Sequence, residues 1–149
     1  MNKKQRWVLV NFAFVTAITI VAVAGMVELK NRVNRSEAMR AMEQLGQIVS
    51  NYKQKHGFVP PESYVEGIKQ SLEGQVRLGN MQYRARWIEF DSPPDTILAY
   101  VTKNYHSFLF HPGAIVLRLD GSVRWINKSD FEAILARQQN PMEVEITQK

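Results

Sequence analysis

The chain contains no cysteine, which removes disulfides, thiolate zinc sites and cysteine nucleophiles from consideration. A chain without thiols is compatible with an oxidising compartment but does not identify one. Glycine and proline are also sparse, eight and six of 149 residues, so collagen-like and low-complexity classes are excluded. The sequence shows no internal repeat, glycine-rich phosphate loop, HExxH motif or activated-serine arrangement. The length fits one domain with a real hydrophobic core, even after an N-terminal segment is set apart.

Acidic residues are missing from the first 27 positions, whereas Lys3, Lys4 and Arg6 lie within the first six. Of the nineteen basic residues, sixteen therefore remain beyond residue 27 against all fourteen acidic ones. The overall charge of +5 thus reflects mainly the basic start, and the later basic residues are scattered from Lys30 to Lys149. A nucleic-acid partner, which needs basic residues clustered on one face, is not expected.

Trp7 to Val27 reads WVLVNFAFVTAITIVAVAGMV, without a charge and long enough as a helix to cross roughly 30 Å of hydrocarbon. Thr16 and Thr19 can bond back to the preceding turn, and Asn11 lies toward the basic end. Basic residues ahead of the run and Glu28 behind it favour a cytoplasmic N-terminus. The competing reading is a cleavable signal peptide, with Ala22-Val23-Ala24 before Gly25 as the small-residue site. No proline and only Gly46 occur between Glu28 and His56, so the helix is expected to run on out of the membrane; Asn31, Asn34 and Ser36 are where it would break.

In the extension, Ala38, Met42, Leu45, Val49 and Tyr52, flanked by Met39 and Ile48, recur at three- and four-residue steps. Arg40, Glu43, Gln47 and Lys53 fall largely on the other side, so one flank requires a partner surface. Gly57 is placed to end the helix, and Pro60-Pro61 prevents its continuation.

The basic start, apolar helix and amphipathic extension, followed by Tyr52-Lys53-Gln54-Lys55-His56-Gly57-Phe58-Val59-Pro60, resemble type IV pilin-like proteins, especially the major pseudopilins of type II secretion. This resemblance covers roughly residues 7 to 75. A second one covers Pro93 to Arg137, where His111-Pro112-Gly113 and Val116 to Ile126 with Asp120-Gly121 look like the C-terminal His…Asp-Gly segment of bacterial pilin-like proteins without an assigned role. The resemblance implies a long helix packed on a small sheet. A leader ending in glycine before a Phe-Thr-Leu-Ile-Glu-like start is not found, and Glu28 follows the apolar run instead of opening it. Prepilin-type processing and filament assembly by the usual route are therefore not expected. Calcium binding, which the resemblance raises for Asp91, Asp95 and Asp120, is not carried over because no run matches the family's loop.

Beyond the prolines, Ser63 and Glu66 have capping-box spacing ahead of a short helix with Tyr64, Val65, Ile68 and Leu72, ending near Gly74. Alternation from Tyr83 to Phe90 predicts a strand; Arg84, Arg86 and Trp87 could form a cation–aromatic contact surface, but the expected reading is an exposed basic face opposite a packed one. Ile97 to Val101 predicts a buried strand. Ala114–Leu119 and Val123–Ile126 predict a hairpin around Asp120-Gly121. Ser129 to Glu132 predicts a capped final helix through Arg137, and 139–149 a loosely ordered tail.

His106, His111 and Asp120 are the one group of residues that invites a metal or acid–base reading. The turn role of Asp120 and the strand-entrance position of His111 account for them without chemistry, so no catalytic, cofactor or metal residue is assigned. The reading is an α+β protein: basic cytoplasmic start 1–6, transmembrane helix 7–27, and extracytoplasmic domain 28–138, with helix extension 28–56. It is expected to be a non-enzymatic structural or assembly component of the bacterial inner membrane, with a role related to secretion. Its expected partners are membrane lipid, and envelope proteins or further copies reached through the helix. No small-molecule substrate or cofactor is indicated. The alternative is a secreted ligand-binding domain.

Overall fold

The computed structural model describes residues 2–105 and 111–147. Helix α1 runs unbroken over Lys3–His56, 54 residues and about 80 Å at 1.5 Å per residue. Asn31, Asn34 and Ser36 do not interrupt it. Each costs a few tenths of a kcal/mol in helix propensity, and no proline or glycine lies between Gly25 and Gly46 to add a larger penalty. Thr16 and Thr19 donate their hydroxyls to the carbonyls of Phe12 and Val15 at 2.8 and 2.9 Å, which keeps both satisfied within the helix.

Short helices α2 (Glu62–Lys69) and α3 (Gln75–Leu78) follow, then strand β1 (Gln82–Tyr83). Strands β2 (Ile97–Lys103), β3 (Gly113–Arg118) and β4 (Val123–Asn127) complete an antiparallel sheet of order β1-β2-β3-β4. Helices α4 (Lys128–Gln138) and α5 (Pro141–Thr147) end the described chain. The architecture is α+β and pilin-like in general shape: a long N-terminal helix laid on a small antiparallel sheet.

Both sheet faces are covered. On one, Ala38, Ala41, Met42, Leu45 and Val49 of α1 pack with Leu98, Ala99, Val101, Ile115 and Leu117, and α2 and α3 add Val65 and Leu78. On the other, Phe131 of α4 meets Ile97, Tyr100, Ala114 and Val116. Strands β2 and β3 are sandwiched, which explains why they read as continuous apolar runs and not as alternations.

Helix α1 lies close against the β3–β4 turn at Gly46. A Cβ there would sit 2.9 Å from Leu117 Cδ1 and 3.2 Å from the Gly121 carbonyl. Gly121 has φ 84°, and its own Cβ would sit 2.8 Å from Ser50 Oγ. Asp120 completes the turn by accepting the Ser122 N–H at 2.8 Å. The Ser122 hydroxyl and N–H beside it hold its carboxyl below the usual carboxylate range.

At its far end α1 stops as expected, with Gly57 at φ 83° and its N–H on the Lys53 carbonyl at 2.7 Å. Tyr52 gathers the rings of His56, Tyr64 and Phe58, at centroid distances of 4.3, 4.9 and 5.8 Å. Pro60 is buried, and its carbonyl accepts the Tyr83 hydroxyl at 2.8 Å. The Tyr52 to Pro60 phrase thus builds a knot that ends the helix and ties it to β1.

Several local expectations are corrected. Helix α2 begins at Glu62 behind Pro61 with no side-chain cap, so Ser63 lies inside it. Its neighbour Pro61 pre-sets the backbone for a helix start at no entropic cost to the folded chain. Of the expected 83–90 strand only Tyr83 pairs in the sheet, as the end of β1, and Ala85–Trp87 forms a 3-10 turn. Helix α4 starts at Lys128 after an extended Asn127, one residue before the expected Ser129 signature and without a side-chain cap.

Replacing Gly46 with Ala is expected to destabilise the domain modestly, because the added methyl group meets buried Leu117 and the Gly121 carbonyl at 2.9 and 3.2 Å, an overpacking that outweighs the gain of about 1 kcal/mol in helix propensity. Gly46→Val is expected to destabilise by about 1–3 kcal/mol through overpacking. Thermal unfolding of the full chain in detergent distinguishes the two. Burial, with Tyr52 nearby, pushes the Tyr83 phenol well above its ordinary value. Its contribution to stability is therefore complete below about pH 10 and lost as pH rises toward the folded value. In an absorbance titration Tyr83→Phe should remove one late-ionising phenol.

Candidate functional site

The histidine and aspartate candidates do not form a site among the described residues. His106 lies outside them. His111 is exposed before the start of β3 and Asp120 is exposed after its end, at opposite ends of a six-residue strand that by itself spans about 17 Å at 3.4 Å per residue. Asp91 and Asp95 are exposed in the loop before β2. No group of three or more His, Asp or Glu side chains that could hold a metal occurs among the described residues. What holds Asp120 in place is backbone: its N–H donates to the Pro94 carbonyl at 2.9 Å, and Leu119 N–H to that of Thr96.

Arg84 overturns the expectation of an exposed basic face. It is 3% exposed, and its Nε and Nη2 donate to the two carboxylate oxygens of Glu143 at 2.5 and 2.9 Å. Nη1 donates to the Ile97 carbonyl at 2.7 Å and Nη2 also to that of Gln138 at 3.0 Å. The reason lies in β2, where pairing with β3 shifts register between Ile97 and Ala99. A bulge leaves backbone groups without ladder partners. Arg84 takes the Ile97 carbonyl, and Gln138 Oε1 accepts the Ile97 N–H at 2.8 Å.

The same clasp orders residues expected to form a loose tail. Asn140 Oδ1 accepts the Glu143 N–H at 2.7 Å, and Pro141 occupies the first position of α5, a combination that starts helices. Glu143, 2% exposed, then reaches Arg84. Fork-to-carboxylate pairing of this kind is bidentate and directional. Both groups are nearly fully buried, and Arg84 also meets backbone carbonyls of β2 and α4, so the pair ties these elements together.

The broadest unpartnered surface lies on α1. From Trp7 to Leu29 large apolar side chains are exposed on every side, with Trp7, Phe12, Val21 and Met26 near 70%. An 18-residue apolar window in this part of the helix has no residue buried against the domain, and the helix is long and apolar enough to cross a membrane. Soluble surfaces rarely leave a contiguous patch of this size bare.

A smaller apolar surface lies at the opposite end. Phe58 and Phe90 are 57% and 100% exposed and flank a hollow of about 380 Å³ with Val59, Ile88 and Leu119. The Arg86 guanidinium lies 5.4 Å from the centroid of the Trp87 ring, a cation–aromatic contact where the alternation favoured a plain exposed basic face. Exposed aromatic and arginine side chains on a rigid support are the composition that protein interfaces favour.

No family model, curated protein or solved structure compared with the chain matches it.

Removing one member of the buried pair strands the other. Arg84→Met is expected to cost about 3–5 kcal/mol and to expose α5 to proteolysis. Arg84→Met with Glu143→Leu should recover a large part of that loss, read by thermal unfolding of the single and double variants.

Proposed function

We propose that this chain is a single-pass, membrane-anchored structural or assembly component of a bacterial envelope, related in form to pilins. Residues 7–27 cross the inner membrane with the N-terminus in the cytoplasm. The domain from residue 28 onward is displayed on the other side. The observation that carries this reading is the division of one unbroken helix into a bare apolar half and a half whose stripe is the core of the domain. An apolar half of that length gains most by entering hydrocarbon, where helix backbone groups are already satisfied.

The basic start at Lys3, Lys4 and Arg6 supports the orientation, and the resemblance of Tyr52 to Pro60 to pseudopilins supports a pilin-like and secretion-related role. The domain stands off the membrane on a rigid post. From Val27 to His56 the helix spans about 43 Å at 1.5 Å per residue, which holds the Phe58 and Phe90 surface far from lipid, where other envelope proteins can reach it. Partner contact, not turnover of a small molecule, is the role this arrangement serves best.

Intact mass of protein extracted from expressing-cell membranes, with protease accessibility in sealed vesicles of known orientation, tests the reading. Full-length mass and a domain protected from the cytoplasmic side are expected. A soluble product beginning after Ala22 or Ala24 would replace the anchor with a secreted domain. Ile18→Lys with Val21→Lys is expected to add roughly 2.5–3.5 kcal/mol per residue to insertion. The variant should leave the membrane fraction while its domain, which neither side chain touches, keeps its unfolding transition.

A further inference from the structure

Immediately beyond the apolar half of α1, basic side chains recur: Lys30, Arg32 and Arg35, then Arg40. Arg32, Arg35, Ser36, Met39, Arg40 and Glu43 line a shallow hollow of about 450 Å³ on one side of the helix. Taking the anchored reading as its basis, we propose that this hollow binds the headgroup phosphate of an anionic phospholipid, gripped by Arg32 and Arg35, on the face of the membrane that carries the domain.

Depth supports the assignment. Arg32 and Arg35 lie five and eight residues beyond Val27, about 7.5 and 12 Å along the axis. The headgroup layer of one leaflet is roughly 5–7 Å thick. Helical side chains lean toward the N-terminus over the preceding turn, so the Arg32 guanidinium reaches back into that layer, and Arg35, held over Trp125, meets the phosphate from the layer's outer edge. Arg40 lies a further turn and more away and completes the basic wall without reaching lipid.

The second support is preorganisation. The Arg35 guanidinium sits 4.3 Å from the centroid of the Trp125 ring. Trp125 is itself fixed by close packing, since a Cβ on Gly113 would lie 2.5 Å from it. A guanidinium whose carbon lies over an indole is held by the ring while the N–H groups at its edge can still donate to a phosphate. The Ser36 hydroxyl adds a neutral donor to the same wall.

Charge within the hollow is graded along the axis. Glu43 closes the membrane-distal end, eight residues past Arg35, and repels an anion there. Glu28 offsets one positive charge near the membrane, leaving Lys30, Arg32 and Arg35 in excess. An anion is therefore drawn to the membrane-proximal end, where a lipid headgroup is supplied and a soluble one must compete.

The test is reconstitution of the full chain into vesicles of phosphatidylcholine with a minority of phosphatidylglycerol, followed by mild detergent extraction and mass spectrometry of the lipids that stay bound. Phosphatidylglycerol should be enriched over the bulk. Arg32→Gln, which leaves the Arg35–Trp125 stack in place, should reduce the enrichment about fivefold, and Arg32→Gln with Arg35→Gln by about as much again. Circular dichroism checks that both variants keep their helix. Wild-type retention at the bulk ratio, or variants with undiminished enrichment, would overturn the proposal. Loss of enrichment to millimolar inorganic phosphate at constant ionic strength would also overturn it, because the hollow would then be a site for free anions. Flotation with vesicles of phosphatidylcholine alone tests the anchor separately: a protein that floats there without phosphatidylglycerol preference keeps the anchor and loses the headgroup site.

Discussion

A helix that is apolar along one stripe must cover that stripe, and the second half of α1 does so against β2 and β3. Ala38, Ala41, Met42, Leu45 and Val49 are each no more than 4% exposed, and truncating one such large side chain typically costs about 2–5 kcal/mol. The sheet has no alternative cover for this face. Uncovered, this face would expose Leu98, Val101, Ile115 and Leu117 to water, and α2, α3 and the turn between them add the smaller set Val65, Leu72 and Leu78 to the same cluster. The domain therefore depends on the helix as its core. Because the first half of that helix is bare, the folded domain necessarily presents a long apolar rod that has to find its own solvent.

This dependence joins two functions in one element. If the rod enters a bilayer, the orientation of the domain above the membrane is fixed by helix geometry instead of a flexible linker. Position along α1 then becomes height above the lipid: arginines at headgroup level, the Gly46 and Gly121 contact in the middle, and the Tyr52 ring cluster with exposed Phe58 and Phe90 farthest out. The Arg84–Glu143 clasp closes the opposite side by tying β1, the β2 bulge and the two C-terminal helices at one buried point. Replacing such a pair with apolar residues can be neutral or stabilising. Its evident contribution is geometric, in that Arg84 satisfies a carbonyl that the bulge would otherwise leave unpaired.

The parts legible in the sequence are those with one dominant physical cause. An uncharged run and a three-to-four stripe define both halves of α1, glycine with a proline pair ends it, and Asp120-Gly121 makes the hairpin. Less legible were features produced by tertiary pairing. Alternation around Arg84 resembles an exposed strand because periodicity cannot reveal that a bulge on β2 needs a donor, or that Glu143, 59 residues away, will meet it. The Asn140-Pro141 step reads as a break when scanned for period, yet it is also a cap followed by a proline at the first helical position, a local signal that could have revealed α5. The aspartates and histidines gave chemical types without proximity, and the fold places His111 and Asp120 at opposite ends of one strand.

Continuity of α1 through the membrane surface is the most exposed part of this account. The absence of cysteine makes it directly measurable, since introduced thiols are the only ones in the chain. Spin labels at Ala17→Cys and Gln47→Cys, with the full chain in lipid vesicles, are separated by thirty residues, about 45 Å along an unbroken helix. A narrow interlabel distribution near that distance is the predicted result. A broad or markedly shorter distribution would mean that the helix breaks between Val27 and Ala38, leaving anchor and domain as two independently oriented parts.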